Sequence, residues 1–265
     1  MPDPALLDAV EVFAAHPSVL VATDFDGALA PLVLDPADSR PLEGGMEALT
    51  ALADLPRTTV ALVSGRDLAA LRELSGAAEP LVLVGSHGAE DSRRPDGLVL
   101  SQEQRDLLAT LETDLREVTE AHPGSRIEDK PAGRVLHTRG IDPQVGAAAL
   151  DAAAALGERH TALVVTPGKE VVELAVAHVG KGTALVALAE ELGVDAVFYA
   201  GDDVTDEQGF EALAQDPDAA RAARRLTVRV GDGETAAQFR VADEPGLVGV
   251  LRAVLQARAR SSAGG

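Results

Sequence analysis

We predict a doubly wound α/β fold, with a parallel sheet in its core and a smaller α+β domain inserted into it. Short apolar runs rich in β-branched residues, each bounded by Gly, Pro or Asp, are typical of buried parallel strands. These runs cover residues 19–23, 58–63, 80–84, 196–200 and 226–230. Helical patterns separate or follow them at residues 44–55, 67–75, 181–192, 205–215 and 245–257. Strands that alternate with helices indicate a doubly wound sheet.

The middle of the chain breaks this alternation. A long helical pattern at residues 102–120 precedes two extended runs in 126–138, which surround a turn at Lys130-Pro131-Ala132-Gly133. A second helical pattern at 143–160 precedes two more runs in 161–176, around Pro167-Gly168. A helix followed by a hairpin, repeated, predicts an α+β insert. We expect an α/β unit of residues 1–97 and 178–265, an inserted α+β module of residues 98–177, and a frayed tail in the last nine residues, ARARSSAGG.

The composition excludes several classes of function. The 265 residues carry a formal net charge of −20, which opposes broad binding to nucleic acids or to anionic membranes. The chain has no cysteine, so disulfides, iron–sulfur clusters and thiol catalysis are excluded. No signal peptide and no apolar run of membrane-spanning length is apparent. We therefore expect a cytoplasmic protein with a small-molecule partner, acting as a monomer.

The first candidate site is Asp24-Phe25-Asp26-Gly27, at the end of an apolar run. Side chains alternate between the faces of a strand, so Asp24 and Asp26 leave it on the same side. A buried carboxylate needs a partner, and two that converge suit a hard cation. By itself the pattern is equally compatible with a solvated turn and helix-capping aspartates.

Three more motifs stand at strand ends or at the starts of helices. Gly201-Asp202-Asp203-Val204-Thr205-Asp206 follows an apolar run, and its three carboxylates suit Mg²⁺, although Asp203 or Asp206 could simply cap a helix. Ser64-Gly65-Arg66 offers a hydroxyl and backbone N–H groups to a phosphate, or a plain helix cap. Gly180-Lys181-Gly182 can bring an ammonium group close to phosphate oxygens, or can be an exposed charge.

Along the chain the four motifs follow one another as Asp24–Gly27, Ser64–Arg66, Gly180–Gly182 and the acid cluster of residues 201–206, and in this order they resemble those of the haloacid-dehalogenase-like phosphatases. Further stretches narrow the resemblance to the trehalose-6-phosphate phosphatases, over roughly residues 20 to 240. These stretches are Gly85-Ser86-His87-Gly88-Ala89-Glu90, Ile127-Glu128-Asp129-Lys130-Pro131, His137-Thr138-Arg139 and Gly168-Lys169-Glu170-Val171-Val172-Glu173. Ala28 departs from the family, which has threonine there, and Ser86 replaces the more usual leucine.

The resemblance implies a Mg²⁺-dependent hydrolysis of a sugar phosphate. Asp24 would be the nucleophile that forms an aspartyl-phosphate, and Asp26 the acid–base group. Ser64, Gly65, Arg66 and Lys181 would bind the phosphoryl group. Asp24, Asp26 and Asp202 would hold the metal, while Asp203 and Asp206 would orient Lys181 or metal-bound water. Residues 1–97 and 178–265 would be the catalytic core and the insert, residues 98–177, a cap domain. In the cap, Glu128, Lys130 and Glu173 would bind the sugar hydroxyls, with His87 and Arg139 as further substrate contacts.

Three alternatives remain open at this point. A phosphatase for another sugar phosphate, such as sucrose 6-phosphate, or a phosphomannomutase-like enzyme would share the core motifs and differ in the cap. A regulatory domain could bind a sugar phosphate without hydrolysing it, and Ala28 would fit such a domain. A receiver-type phosphoacceptor also uses strand-end acids, but it needs neither Asp26 nor a cap of about 80 residues.

Overall fold

The computed structural model describes residues 3–94, 100–177 and 180–263. The chain divides into two compact units, Met1–Pro95 with Gly180–Gly265 and Asp96–Val179. The boundaries expected from the sequence, at residues 97/98 and 177/178, fall where the description is interrupted, and residues 97, 98 and 178 lie outside it. Among the described residues, none of the helices is long and apolar enough to cross a membrane.

The first unit contains helices on both sides of its sheet. Its helices are α1 (Pro4–Ala14), α2 (Gly45–Ala53), α3 (Leu68–Ser75), α7 (Lys181–Leu192), α8 (Val204–Ala214), α9 (Ala219–Ala223) and α10 (Glu244–Ala263). Its strands are β1 (Val19–Thr23), β2 (Thr58–Val63), β3 (Val82–Gly85), β4 (Glu90–Asp91), β9 (Ala196–Gly201), β10 (Arg225–Val230) and β11 (Phe239–Val241).

These strands form, within the described residues, a seven-stranded sheet in the order β11-β10-β9-β1-β2-β3-β4. All neighbours are parallel except β3 and β4. The chain order therefore reverses at β1, which pairs with β2 on one side and with β9 on the other. In such sheets ligands bind at this reversal, beyond the carboxyl ends of the strands.

Alternation along β1 explains why both faces of the sheet are covered. Val19 and Val21 pack into a core with α1, α2 and α10, whereas Leu20 and Ala22 pack into a second core with α7 and α8. Every residue of β1 is buried. A strand that is buried on both faces reads as a continuous apolar run. The predicted fold class is thereby confirmed.

The second unit is an antiparallel sheet with helices on one face. Its elements are α4 (Gln102–Ala121), β5 (Arg126–Lys130), β6 (Gly133–His137), α5 (Pro143–Ala154), α6 (Leu156–Arg159), β7 (Val164–Gly168) and β8 (Val171–Ala175). The described strands follow the order β5-β6-β8-β7. Leu136, Val172 and Leu174 pack against apolar residues of α4 and α5, such as Leu115 and Ala149, so the opposite face of the sheet carries the polar side chains.

Three local predictions are wrong. The second hairpin of the insert turns at Lys169-Glu170, and Pro167 and Gly168 belong to β7; Glu170 has a φ of 59°. The helix expected over 143–160 ends at Ala154, and α6 is a separate short helix. The described part of the tail, residues 257–263, is not frayed, because α10 continues to Ala263; residues 264 and 265 lie outside the described residues.

Arg258 holds the last turns of α10 against the rest of the unit. Its buried guanidinium donates to Thr58 Oγ1 and to the carbonyls of Ala14, His16, Pro17, Pro56 and Arg57.

Candidate active site

The register of three adjacent strands brings the motifs together. Thr23 pairs with Leu62 of β2 and with Ala200 of β9, so Asp24 emerges beside Ser64 and Asp202. These side chains line a cavity of about 480 Å³ in the first unit. Its walls also include the predicted residues Asp26, Gly65, Arg66, His87, Lys181 and Asp203. The structure therefore brings residues of all four motifs to one cavity.

Asp24 lies at the buried end of this group and is held by two donors. Its side chain is 5% exposed; Oδ2 lies 2.8 Å from Lys181 Nζ, and Oδ1 accepts a hydrogen bond from the Phe25 amide at 2.6 Å. Burial raises the pKa of Asp24, while the Lys181 ammonium lowers it. The contacts fix the direction of the carboxylate and leave its outer surface toward the cavity.

Lys181 is a buried cation placed between two carboxylates. Nζ lies 2.8 Å from Asp24 Oδ2, 2.8 Å from Asp206 Oδ1 and 3.7 Å from Asp203 Oδ1. Burial lowers the pKa of Lys181, but the charges of Asp24 and Asp206 outweigh it and raise the pKa above its usual value. The side chain is therefore an ammonium group with three N–H donors, two of which point at carboxylates.

Asp206 receives more hydrogen bonds than any other acid of the motif. Oδ1 accepts from Lys181 Nζ and from the hydroxyl of Tyr199, and Oδ2 accepts from the amides of Asp202 at 2.9 Å and Asp203 at 3.0 Å. The side chain is fully buried. A carboxylate has about four acceptor positions, and these four donors fill them. Asp206 thus holds Lys181 and the strand end in place.

Asp26 is engaged by Arg66 and Ser39. The Arg66 guanidinium donates from Nε to Oδ2 and from Nη2 to Oδ1, and the Ser39 hydroxyl donates to Oδ1 at 2.8 Å. Arg66 was predicted to bind phosphate, and here its fork faces Asp26 from the cavity wall. The hydrogen bonds with Asp26 and the negative charge of its carboxylate raise the pKa of Arg66 above its usual value.

Asp202 has the environment expected of a metal ligand. Within the described residues its Oδ1 atom is buried and accepts no hydrogen bond, and a Cβ at Gly27 would overlap its carboxylate. Burial, followed by the charges of Asp206 and Asp203, raises the pKa of Asp202 to about 6. A buried carboxylate oxygen without a donor is costly unless a cation binds it. The residues around the DxDG turn therefore fit a metal ion.

Asp203 caps α8. Its Oδ1 accepts from the Asp206 amide at 2.9 Å and from the Thr205 hydroxyl at 2.7 Å. Burial raises its pKa, but Lys181 and these hydrogen bonds outweigh the burial and lower it. Carboxylate oxygens of Asp24, Asp203 and Asp206 lie within 4.8 Å of one another, but the Lys181 ammonium already lies within 4 Å of all three. Asp202 is thus better placed than Asp206 to meet a cation directly.

The phosphate-binding candidates surround Ser64. Its side chain is buried, and Oγ accepts a hydrogen bond from the Arg66 amide at 3.2 Å. The His87 amide donates to the Ser64 carbonyl at 2.9 Å, and a Cβ at Gly65 would lie 2.5 Å from His87 Cε1. Glycine at this position therefore allows the imidazole to approach the loop, which accounts for the Ser-Gly-Arg spacing.

The cap candidates share the polar face of the sheet in the second unit. Glu128 pairs with Val135, Val135 with Glu173, and Glu173 with Thr166, so these four residues form one row across the strands. Lys130 Nζ donates to Glu173 at 3.2 Å, and His137 Nε2 lies 2.7 Å from Glu128. Arg139, near this hairpin, lies 3.6 Å from Glu170. This face offers carboxylates, an ammonium and a hydroxyl to a polyhydroxylated ligand.

Sequence reasoning missed Tyr199 and Ser39. Tyr199 was read as part of an apolar strand, although its hydroxyl must find a partner when the residue is buried. It is the only tyrosine in the chain and precedes the first acid of the motif, Asp202, by three residues, which is the signal that could have found it. Ser39 lies in a loop with no local pattern, so nothing in the sequence marks it as a partner of Asp26.

A doubly wound sheet with an acid pair at its reversal point and a buried lysine beside it defines the haloacid-dehalogenase-like fold. Structural comparison agrees: the Aspergillus fumigatus trehalose-6-phosphate phosphatase (crystal form 3) superposes with a TM-score of 0.78 at 27% identity, covering 96% of this chain and 97% of that one. The family model described as trehalose-phosphatase matches residues 22–245. The chain belongs to the trehalose-phosphatase family, as the sequence motifs predict.

Curated relatives are consistent with this membership. A trehalose-phosphate phosphatase of Mycolicibacterium paratuberculosis is 39% identical over 216 residues, which are 76% of this chain and 52% of that protein. A bifunctional trehalose-6-phosphate synthase/phosphatase of Thermoproteus tenax is 35% identical over 244 residues, 90% of this chain and 32% of that protein. The chain thus spans about half the length of the first relative and a third of the second.

Proposed function

We propose that the chain is a Mg²⁺-dependent phosphatase that hydrolyses trehalose 6-phosphate to trehalose and phosphate through an aspartyl-phosphate. The observation that carries this proposal is the position of Asp24. Its carboxylate is buried on one side against Lys181 and the Phe25 amide, and it faces a cavity that also contains Ser64 and Arg66. Family membership supports the substrate.

In the first step Asp24 attacks phosphorus and the bond to the sugar oxygen breaks. Lys181 orients the nucleophile, and its remaining N–H donor is available to a phosphoryl oxygen. The Ser64 hydroxyl and the amides beside Gly65 would receive the other oxygens. Asp26 supplies a proton to the departing sugar oxygen, so the sugar leaves as a neutral alcohol.

In the second step water attacks the phosphorus of the aspartyl-phosphate, Asp26 accepts its proton, and the bond to Asp24 breaks. The Arg66 fork orients the Asp26 carboxylate, so that it can accept this proton. Because Arg66 also lines the cavity, its guanidinium can meet a phosphoryl group there as well as Asp26. This dual contact reconciles its predicted role with its position.

Asp202, the carboxylate of Asp24 and the backbone carbonyl of Asp26 would hold Mg²⁺. When bound, Mg²⁺ neutralises charge on the phosphoryl oxygens and lets an anionic nucleophile approach them. Asp203 would contribute by capping α8, and Asp206 by holding Lys181 in place. In the cap, Glu128, Lys130 and Glu173 would bind glucose hydroxyls, with Arg139 and, from the core, His87 as further contacts. A smaller sugar phosphate would leave some of these charged groups without a hydroxyl partner, and it would therefore be hydrolysed less efficiently.

Phosphate release tests the proposal. Wild-type protein and Asp24→Asn are compared on trehalose 6-phosphate and on glucose, sucrose and mannose 6-phosphates, with Mg²⁺ and with EDTA. Release confined to trehalose 6-phosphate, and lost with EDTA and with Asp24→Asn, is the expected result. Preference for another sugar would overturn the substrate. Binding without release would indicate a regulatory domain.

Two sequence predictions belong with this proposal. A monomeric state would be measured by light scattering on the purified chain, and a cytoplasmic location by fractionation of the cells that express it. A stable dimer would contradict the first of these predictions, and recovery with the membrane or secreted fraction would contradict the second.

A further inference from the structure

The hydroxyl of Tyr199 connects the buried core to the proposed nucleophile. Tyr199 lies in β9, is fully buried, and donates to Asp206 Oδ1. The same oxygen lies 2.8 Å from Lys181 Nζ, and Nζ lies 2.8 Å from Asp24 Oδ2. A continuous chain of charge-assisted contacts therefore runs from Tyr199 through Asp206 and Lys181 to Asp24.

The surrounding residues are arranged to admit this contact. A Cβ at Gly201 would overlap the Asp206 side chain, and a Cβ at Gly209 would lie 2.7 Å from Tyr199 Cε1. The Phe210 ring packs against the Tyr199 ring with centroids 5.6 Å apart. Two glycines and an aromatic neighbour thus fix the ring, so that its hydroxyl meets Asp206.

We propose that Tyr199 is a positioning residue for catalysis, which holds Asp206 and thereby sets the placement of Lys181 between Asp206 and Asp24. Asp206 Oδ1 accepts hydrogen bonds from two donors, the Tyr199 hydroxyl and the Lys181 ammonium. Without the hydroxyl, Lys181 is the one donor to that oxygen that remains among the described residues, and the ammonium is drawn toward Asp206. It then lies farther from Asp24 and from the phosphoryl group. The proposal rests on the proposed function for its kinetic consequence and on the observed contacts for its structural one.

The kinetic experiment compares Tyr199→Phe with Phe198→Leu. Phe198 is the neighbouring buried residue of β9, but it packs against Phe13 in the core on the opposite face of the sheet, so its substitution disturbs the strand without touching the hydroxyl or Asp206. We expect kcat for phosphate release to fall about tenfold in Tyr199→Phe with KM unchanged, and to stay within about twofold of wild type in Phe198→Leu. A kcat in Tyr199→Phe within about twofold of wild type, or equal losses in both variants, would overturn the proposal.

A double-mutant cycle separates positioning from general destabilisation. In an Asp206→Asn background the acceptor is already altered, so Tyr199→Phe is expected to change kcat by less than about twofold. Losses that multiply independently would show that the hydroxyl acts by a route other than Asp206, and would contradict the proposal.

A spectroscopic experiment does not depend on the substrate. Tyr199 is the only tyrosine, so ¹³C-labelled tyrosine gives one ring signal per site in the NMR spectrum. We expect Asp24→Asn to shift this signal through Lys181 and Asp206, and Asp26→Asn, on the Arg66 side of the cavity, to leave it unchanged. No shift with Asp24→Asn, or equal shifts with both, would overturn the positioning role. If wild type releases no phosphate but the shift occurs, the proposed function fails and the structural coupling stands.

Discussion

Arg66 and Asp26 form a two-pronged ion pair, with Nε donating to Oδ2 at 2.6 Å and Nη2 donating to Oδ1 at 2.7 Å. Both groups are mostly buried at the cavity wall, where such a pair fixes orientation as well as charge. The pair joins the motif that follows β1, Asp24–Gly27, to the motif that follows β2, Ser64–Arg66. It follows that the angle of the proposed acid–base group depends on a residue 40 positions further along the chain.

Arg66→Lys tests this dependence. Lysine retains the positive charge but cannot form the planar fork, so Asp26 would lose its orientation and kcat should fall by about ten- to a hundredfold. Steady-state phosphate release measures the effect. Arg94→Lys is the matched control, because Arg94 pairs with Glu191 at the exposed surface and should retain wild-type kcat. A wild-type kcat in Arg66→Lys would show that charge alone suffices.

Cation binding should depend on pH through Asp202. Its pKa of about 6 in the metal-free protein means that the carboxylate is mainly ionised above pH 6 and mainly protonated below it. Protons then compete with the cation, so Mg²⁺ affinity should decline by up to about tenfold per pH unit below pH 6. Calorimetric titration with MgCl₂ from about pH 5 to about pH 8 measures this dependence. Asp202→Asn should remove the binding, and an affinity that is constant across this range would exclude Asp202 as a ligand.

Ala28 is the departure from the family motif, and the structure places it in the apolar core. It is fully buried in the cluster that contains Phe25 and Leu29. Threonine would add a hydroxyl and a methyl group there, so Ala28→Thr should lower stability by about 1 to 3 kcal/mol. Activity should stay within about twofold of wild type. Urea unfolding and kcat measure the two effects. A gain in kcat would show instead that the hydroxyl reaches the phosphate loop.

Removal of the Arg258 guanidinium should lower the free energy of unfolding substantially. Its guanidinium donates to five carbonyls and one hydroxyl, and Arg258→Met would leave several of these acceptors buried without a donor. Each such acceptor costs about 1 to 3 kcal/mol, so a total loss of about 4 kcal/mol is expected. Urea unfolding checks this, with exposed Arg260→Met as the control. Loss below about 1 kcal/mol would mean that water replaces the donors.

The sequence predicts the central elements well and the peripheral ones poorly, for a physical reason. The bounds of β1, β2 and α7 agree with the prediction because buried runs and glycine boundaries are local signals. Helix α1 was not predicted, and neither were β4, α9 and β11, since these elements are short or depend on packing against the sheet. Arg258 shows the limit: a polar terminal segment looks disordered until the distant carbonyls that it meets are known.

The site follows the same rule. The strand-end position of each motif could be predicted, because carboxyl ends of parallel strands share one edge. The division of labour among the acids could not, since it depends on which donors surround each carboxylate. Asp206 and Asp202 are four residues apart in one motif, yet one accepts four hydrogen bonds and the other has a buried oxygen that accepts none from the described residues.

The sheet order has a consequence for synthesis of the protein. Strand β1, which carries Asp24, pairs on one side with β2 and on the other with β9, and the whole second unit is translated between them. Lys181, Asp202 and Tyr199 therefore leave the ribosome more than a hundred residues after Asp24. A nascent or truncated chain would carry the proposed nucleophile without Lys181 or Asp202, so the long-range pairing of β1 with β9 delays assembly of the proposed site until most of the chain has been made.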